Sequence, residues 1–207
     1  PNLKTYGLTA GDFRAEDVEM GLESTRFRFE GQSVVLPHPG IGPLMGALAA
    51  LAATRMLDKP LDETIERLAT LRLPPGRMQR LRLGGVDFIH DAYNANPLSL
   101  QAGVEFLLTQ PGRKWLVLGH MAELGGEALR YHLEAARLAA AVSPDLIFIG
   151  PFAQKQAAEV GGTAFETIEE AVAFLAGKAR PGDLVYLKAS RSVGLERLLA
   201  IWPKEEA

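Results

Sequence analysis

Cysteine is absent from the 207-residue sequence, which excludes disulfide bonds and metal sites built from thiolates. The same absence fits a reducing compartment, so we expect a cytoplasmic protein. Positive charge is not in excess either, because 22 Lys and Arg stand against 25 Asp and Glu, a formal net charge of −3. A nucleic-acid-binding surface needs a basic patch, so nucleic acid is not an expected partner.

Long apolar runs are also missing. The richest one, Leu44–Ala53, is alanine-rich and falls short of the roughly 20 residues that cross a bilayer. Residues 1–10 show no basic segment followed by an apolar one, so we expect neither an export signal nor a membrane span. With 47% hydrophobic and 23% charged residues, the composition is that of a globular protein with one large or two small domains.

No segment has the glycine spacing of a nucleotide-phosphate loop. Neither G-x-x-x-x-G-K-[ST] nor G-x-G-x-x-G occurs in the sequence. The segment HPGIGPLMG comes nearest with Gly40, Gly42 and Gly46, but Pro43 removes a backbone donor and no Lys-Ser or Lys-Thr follows. We interpret it as a turn into a helix with Pro43 near its start. The missing fingerprint also disfavours a dinucleotide-dependent oxidoreductase.

The first 70 residues predict short strands followed by two helices. Strands are predicted over Lys4–Leu8, Asp12–Met20 and Thr25–Val35, and helices over Leu44–Leu57 and Leu61–Ala69. The segment LRLPPGR (71–77) then interrupts the pattern with two prolines before a glycine. We predict the domain boundary there.

Beyond that boundary, predicted strands and helices alternate. The strands are Arg80–Leu83, Val86–Ile89, Trp115–Leu118, Leu146–Ile149 and Leu184–Leu187, and the helices are Leu98–Leu108, Glu127–Ala141, Phe152–Glu159, Ile168–Leu175 and Val193–Ile201. Gly84-Gly85 indicates a hairpin between the first two strands. The alternation predicts an α/β fold whose mainly parallel sheet is covered by helices on both faces. We therefore expect two α/β segments, residues 1–75 and 76–207.

Polar clusters follow four of the predicted strands. They are DAYNANP (91–97), GHMAELG (119–125), GPF (150–152) and KASR (188–191). Ligands of parallel α/β sheets bind beyond the carboxyl ends of the strands, so we expect these clusters to share one crevice. DAYNANP has two readings: it holds a ligand, or it forms a turn in which Asn96 caps the helix that Pro97 opens.

Four motifs, in this order, resemble those of the Mur ligase family. They are LPPGRM (73–78), DAYNANP, LGHMAELG (118–125) with His132, and LKASRSVGLE (187–196). The resemblance implies that residues 76–207 form the family's Rossmann-like carboxyl-terminal domain and, more loosely, that residues 1–75 end its central ATPase domain. It also implies an enzyme that uses ATP and Mg²⁺ to join D-alanyl-D-alanine to UDP-N-acetylmuramoyl-tripeptide through an acyl phosphate. We expect the protein to be a monomer.

The resemblance implies roles for individual residues. Those matching the nucleotide-binding positions are Arg77, Asp91, Tyr93, Asn94 and Asn96, and those matching the dipeptide-binding positions are Lys188, Ser190 and Arg191. Asparagine side chains both donate and accept, which suits a ribose or an adenine edge, whereas cations at a strand end suit an incoming carboxylate. Each assignment has a simpler alternative. Arg77 could be a surface arginine, Asn96 could serve mainly as a helix cap, and Lys188 and Arg191 could be solvated charges at a strand end. No catalytic residue or metal ligand is assigned.

The sequence also departs from the family's pattern. Gly42, Pro43 and Gly46 stand where family side chains approach the adenine, His120 replaces an aspartate, and Ala189 replaces a glycine. With no phosphate loop present, we expect this polypeptide alone to be inactive. The alternative function is a non-catalytic nucleotide- or partner-binding module that kept the fold and lost the chemistry.

Overall fold

The structure is a computed structural model that describes residues 3–203. The chain divides into two compact units, the first ending at Leu73 and the second beginning at Pro74. The sequence predicted this boundary between residues 75 and 76. Residues 1–2 and 204–207, which belong to the two predicted segments, lie outside the described residues. Within the described range, no helix is long and apolar enough to cross a membrane.

The amino-terminal unit combines two small sheets with two helices. Its elements are β1 (Tyr6–Gly7), β2 (Phe13–Arg14), β3 (Glu16–Met20), β4 (Thr25–Phe29), β5 (Gln32–Leu36), α1 (Ile41–Met56) and α2 (Asp62–Ala69). Strands β1 and β2 pair in parallel, whereas β3, β4 and β5 form an antiparallel sheet. Phe27 and Phe29 alternate with exposed residues along β4 and join Leu44 and Leu48 of α1 in one hydrophobic core.

All three strand predictions in this unit are wrong in extent. The predicted strand Thr25–Val35 is the antiparallel pair β4 and β5. The predicted strand Lys4–Leu8 shrinks to two residues because the Asp12 carboxylate takes up the Thr5 amide at 2.9 Å and the Lys4 ammonium at 2.8 Å. The predicted strand Asp12–Met20 divides into β2 and β3, which belong to different sheets. Side-chain acceptors in a polar segment compete with the strand ladder, and hydrophobic alternation does not report that competition.

The carboxyl-terminal unit is built on a six-stranded sheet. Its strands are β6 (Gln79–Leu83), β7 (Val86–His90), β8 (Lys114–Leu118), β9 (Leu146–Ile149), β10 (Thr163–Phe165) and β11 (Leu184–Lys188). Its helices are α3 (Pro97–Leu108), α4 (Ala128–Ala140), α5 (Ala153–Val160), α6 (Ile168–Lys178) and α7 (Arg197–Ala200). The strand order is β10-β9-β8-β11-β7-β6, and every neighbouring pair except β6–β7 is parallel. The predicted α/β fold with a mainly parallel sheet is confirmed.

The predicted hairpin between β6 and β7 is confirmed in register. Leu83 pairs with Val86, and Gly84 and Gly85 between them have φ angles of 56° and 71°. Such left-handed angles cost glycine little, and consecutive ones suit a two-residue hairpin loop.

Two other elements of this unit differ from the sequence prediction. Strand β10 was not predicted, because it has only three half-buried residues at the edge of the sheet. The predicted helix Val193–Ile201 is wrong: a 3₁₀ turn at Arg191–Val193 ends at Gly194, and α7 has four residues. Its apolar spacing arises from packing against the sheet rather than from a continuous helix.

The order of the strands positions the loops that carry the polar clusters. From β7 the chain steps outward along the sheet through β8, β9 and β10, and α6 then returns it to place β11 between β8 and β7. Ligands of open α/β sheets bind where the strand order reverses in this way. The carboxyl ends of β7, β11 and β8 are therefore neighbours.

Candidate functional site

Backbone hydrogen bonds continue beyond the strands and join the three loops. The Asp91 amide donates to the Leu187 carbonyl at 2.9 Å, and the Gly119 amide donates to the Lys188 carbonyl at 2.8 Å. The Ser190 amide donates to the His120 carbonyl at 2.9 Å. The polar clusters that follow β7, β8 and β11, three of the four that the sequence predicted to share one crevice, thus meet at the carboxyl ends of these strands.

The Asp91 carboxylate receives hydrogen bonds from three groups on two separate segments of the chain. Its Oδ2 accepts from the Lys188 ammonium at 2.6 Å and from the Tyr186 hydroxyl at 2.9 Å. Its Oδ1 accepts from the Met78 amide at 3.1 Å. Burial, and then the neighbouring carboxylate, raises the pKa of Tyr186 well above its ordinary value, so this phenol remains a donor.

The Lys188 ammonium is fully used within the same cluster. Besides the Asp91 carboxylate, it donates to the Asp91 carbonyl at 3.2 Å and to the Asn94 carbonyl at 2.9 Å. Lysine has three donors and no acceptor, so these three bonds exhaust its capacity. The residue is only 4% exposed. In this arrangement no donor of Lys188 is left for a dipeptide carboxylate.

Ser190 and Asn94 connect the loops after β11 and β7. The buried Ser190 hydroxyl accepts from the Ala122 amide at 2.9 Å and donates to Oδ1 of Asn94 at 3.4 Å. The same Asn94 oxygen accepts from the Ala95 amide at 2.8 Å. The Nδ2 group of Asn94, by contrast, makes no hydrogen bond to any residue in 3–203, and the residue is exposed. The side-chain oxygen of Asn94 is therefore used within the loops, whereas its amide donors have no partner among the described residues.

Asn96 caps helix α3. Its side-chain oxygen accepts from the Ser99 amide at 2.8 Å, and the Ser99 hydroxyl accepts from the Asn96 amide at 3.1 Å. Pro97 occupies the first helical position, where a missing amide hydrogen costs nothing. The predicted capping role is confirmed, and this reciprocal pair satisfies two amides that the helix itself leaves without acceptors.

Two arginines flank the exposed ring of Tyr93. The guanidinium carbon of Arg77 lies 4.3 Å from the ring centroid, and that of Arg191 lies 5.3 Å from it. Both arginines are exposed, and neither forms an ion pair with a residue that the structure describes. The sequence resemblance implied different ligands for the two residues, but they meet at one side chain. Two unpaired guanidinium groups around one ring favour an anionic ligand.

His132 organises the segment that follows β8. Its Nε2 accepts from the Met121 amide at 2.9 Å, and its Nδ1 therefore donates to the Ala128 carbonyl at 2.7 Å. The His120 ring lies nearly parallel at 4.9 Å, with its Nδ1 3.2 Å from Nε2 of His132. Burial lowers the pKa of His132, and His120 lowers it further. The hydrogen bonds and the lowered pKa indicate a neutral, packed histidine.

Sequence reasoning missed two residues that shape this cluster. Tyr186 lies in the strand segment LVYLK, which reads as apolar, yet its buried hydroxyl needs a partner and finds Asp91. Gly103 lies in the middle of α3, facing that hydroxyl. A glycine inside a predicted helix was the available signal, since it costs stability unless something approaches closely.

Both the sequence and the fold of the chain are similar to those of known ligases. Residues 76–191 match the family model described as Mur ligase, glutamate ligase domain. The UDP-N-acetylmuramoyl-tripeptide–D-alanyl-D-alanine ligase of Bacillus subtilis is 30% identical over 213 residues, which cover 95% of this chain and 46% of that protein.

Two solved structures have a similar fold. The MurF ligase from Thermotoga maritima in complex with ADP has a TM-score of 0.81 at 30% identity, covering 95% of this chain and 47% of that one. MurF from Acinetobacter baumannii has a TM-score of 0.85 at 30% identity, covering 95% of this chain and 46% of that one. The chain spans just under half the length of each of these relatives.

Proposed function

The chain belongs to the Mur ligase family, and from that membership we propose that it is part of an ATP-dependent amide ligase of peptidoglycan precursor synthesis. The proposed substrates are UDP-N-acetylmuramoyl-tripeptide and D-alanyl-D-alanine, after which the Bacillus subtilis relative is named. Residues 76–207 would serve as the family's carboxyl-terminal domain and residues 1–75 as the end of its central domain. ATP and UDP-linked precursors place the proposed reaction in the cytoplasm.

The proposed reaction has two steps. The tripeptide carboxylate attacks the γ-phosphorus of ATP, which releases ADP and leaves an acyl phosphate. The amine of D-alanyl-D-alanine then attacks the acyl carbon through a tetrahedral intermediate, and phosphate departs as the amide forms. Both steps need cations against phosphate charge and close placement of the reacting groups. This chain would contribute to binding and placement rather than to bond making.

The observation that carries the proposal is the group of exposed side chains at the carboxyl ends of the sheet's strands. Arg77 and Arg191 present guanidinium groups beside Tyr93 that form no ion pair with a described residue, and the Asn94 amide donor has no described partner either. Guanidinium forks match phosphate oxygens, and an amide donor suits a ribose or base edge. We assign ATP to these four residues, with Asp91 and Asn96 shaping the loop that presents them. We thus move Arg191 from the dipeptide to ATP, while binding of the dipeptide by Ser190 stays a prediction.

Mg²⁺ accompanies ATP in such a reaction. Across residues 3–203, no group of three His, Asp or Glu side chains is arranged to hold a metal ion. The described residues therefore do not fit a protein cage for Mg²⁺, which commonly takes its ligands from phosphates, water and one or two carboxylates. No step of the proposal depends on a metal held by this chain.

A ligase assay on the product of the complete reading frame that encodes these residues tests the proposal. With ATP, Mg²⁺ and both substrates, we expect ADP release that depends on the tripeptide and a new amide product seen by mass spectrometry. Arg77→Ala should raise KM for ATP roughly tenfold, because a charge-assisted contact is lost. An Arg72→Ala variant, which removes an exposed arginine nearby in the sequence, is the control. ADP release without the amide product would contradict the ligase assignment.

A non-catalytic binding module is the second candidate. Three residues in the first turns of α1 favour this candidate: Gly42, Pro43 and Gly46. A Cβ atom added at Gly42 or Gly46 would have no neighbouring atom within 4 Å. Polar side chains at these positions would be needed for the adenine contacts that the family resemblance implies. Nucleotide binding by the complete protein without any tripeptide-dependent turnover would favour the module over the ligase.

A further inference from the structure

We propose that Lys188 is a positioning residue for the loop 91–94 and does not bind a substrate. The inference rests on the proposed function, in which this loop presents Tyr93 and Asn94 to the nucleotide. Lys188 ends β11, one residue beyond the paired Leu187 and His90, and thus lies beside the start of the loop on β7. From there its ammonium reaches both ends of the loop.

The hydrogen bonds of the buried Lys188 ammonium connect the two ends of the loop 91–94. The ammonium joins the Asp91 carboxylate at 2.6 Å to the Asn94 carbonyl at 2.9 Å, and thereby holds the first and last residues of the loop together. The Asn94 side chain is held from the same strand end, because the Ser190 hydroxyl donates to its oxygen. The Nδ2 nitrogen of the Asn94 side chain is left without a described partner. Lys188 therefore acts on the nucleotide through the orientation of Asn94.

Burial makes the pair of Lys188 and Asp91 interdependent. Their side chains are 5% and 13% exposed, so neither charge is well hydrated on its own. A buried charge whose partner is removed is left without compensation, which is far more destabilising than removing both partners. Tyr186 and the Met78 amide also bind the carboxylate, but neither carries positive charge. The loop conformation thus depends on this one cation.

A double-mutant cycle on the 207-residue chain tests the pairing. Lys188→Met should raise the unfolding equilibrium constant on the order of 100-fold, because Asp91 is left buried without a cation. Adding Asp91→Asn should recover most of that loss. Lys114→Met is the matched control, since the ammonium of this half-buried lysine on β8 donates to the Gly112 carbonyl and to no other described residue. Its effect should stay within about threefold.

The cycle overturns the proposal if Asp91→Asn leaves the effect of Lys188→Met unchanged. The Lys188→Met variant could fail to fold while the double variant with Asp91→Asn folds. That result supports the proposal in the same way as a recovery of stability by Asp91→Asn. Because this measurement uses no substrate, it decides the pairing even if the complete protein proves not to be a ligase.

Substrate kinetics of the complete protein separate positioning from substrate binding. Lys188→Met should raise KM for ATP about tenfold through loss of the Asn94 orientation, and should leave KM for D-alanyl-D-alanine within about twofold. The same dipeptide comparison is repeated in the Asp91→Asn background, where the buried charge no longer needs a partner. A rise in dipeptide KM of tenfold or more in that background would assign Lys188 to the dipeptide carboxylate and overturn the proposal.

Discussion

Gly103 of α3 lies against the hydroxyl of Tyr186, so closely that a methyl group added at Gly103 would be 2.0 Å from the phenol oxygen. This contact lets the ring of a buried tyrosine pass under the helix and place its hydroxyl on the Asp91 carboxylate. The glycine in the middle of the helix thus serves the polar cluster at the strand ends.

We expect Gly103→Ala to lower the free energy of unfolding by about 1–3 kcal/mol, because the added methyl group forces Tyr186 or the helix to move. Gly177→Ala is the matched control: this helical glycine of α6 has nothing within 4 Å of the added carbon, so the change should be stabilising by up to about 1 kcal/mol. Urea unfolding of both variants measures the difference. Equal effects at the two glycines would contradict the packing of Tyr186 described above.

We expect Asn96→Ala to lower the free energy of unfolding by about 1 kcal/mol, as the loss of helix caps does. The reason is that the Ser99 amide loses its acceptor at the start of α3. Gln101→Ala, which removes only a side-chain contact with Glu105 on the exposed face of the same helix, should change stability by less than about 0.5 kcal/mol. Thermal denaturation of the chain compares them, and an unchanged melting temperature for Asn96→Ala would argue against the cap.

Asn94→Asp tests the ligand role of the free amide. The substitution keeps the oxygen that accepts from Ala95 and Ser190, and it replaces the Nδ2 donor by a second, negatively charged oxygen that repels a phosphate. We therefore expect a melting temperature close to that of the unchanged chain and roughly tenfold weaker ATP binding by the complete protein. Isothermal titration with ATP measures the second effect. Normal ATP affinity combined with early melting would mean that Asn94 serves the turn alone.

The stability of the chain should fall on mild acidification. Burial lowers the pKa of both His90 and His132 below the ordinary 6.5, so the unfolded chain takes up protons that the folded chain resists. Stability is therefore complete above pH 6.5 and is lost as pH falls toward the folded pKa values, with a slope of up to about 1.4 kcal/mol per pH unit for each histidine.

Urea unfolding between pH 7.5 and pH 5 measures this dependence. His132→Gln should reduce the slope of the free energy of unfolding against pH by up to the contribution of one histidine. Adding His90→Gln should remove most of the slope that remains. A slope that is unaffected by both substitutions would assign the acid sensitivity to other groups.

We expect the 207-residue chain by itself to show no measurable ATP hydrolysis or ligation. The sequence contains no segment in which backbone amides and a lysine could offset the charge of the β- and γ-phosphates. Phosphate release with and without the tripeptide substrate measures this, using the complete protein as the positive control. Release that depends on the tripeptide would contradict the prediction.

The sequence alone predicted much of the carboxyl-terminal unit, because its signals are local. Apolar runs bounded by glycine and proline identified four of its five parallel strands, and Gly84-Gly85 identified the hairpin. The cap at Asn96 was also recognisable, since a capping side chain bonds to an amide three residues away. In the amino-terminal unit, the strand predicted over Asp12–Met20 was wrong in extent because the chain passes there from one sheet to another, which no local pattern records.

The individual site residues were less predictable. DAYNANP and KASR were correctly placed at neighbouring strand ends, but the sequence could not tell which of their polar groups would face inward. The structure engages Asp91, Lys188 and Ser190 within the cluster and leaves Arg77 and Arg191 together at Tyr93. Each of these outcomes depends on the direction of a side chain relative to a distant segment.

The sequence by itself determined the family, the alternation of strands and helices, and the edge of the sheet at which the polar residues gather. Only the tertiary structure decided that Lys188 meets Asp91, a residue 97 positions earlier in the chain. That meeting depends on α6 returning β11 to a position between β7 and β8. The physical reason is that secondary structure follows from hydrogen bonds and packing between nearby residues, whereas the partner of a buried charge depends on which strands become neighbours.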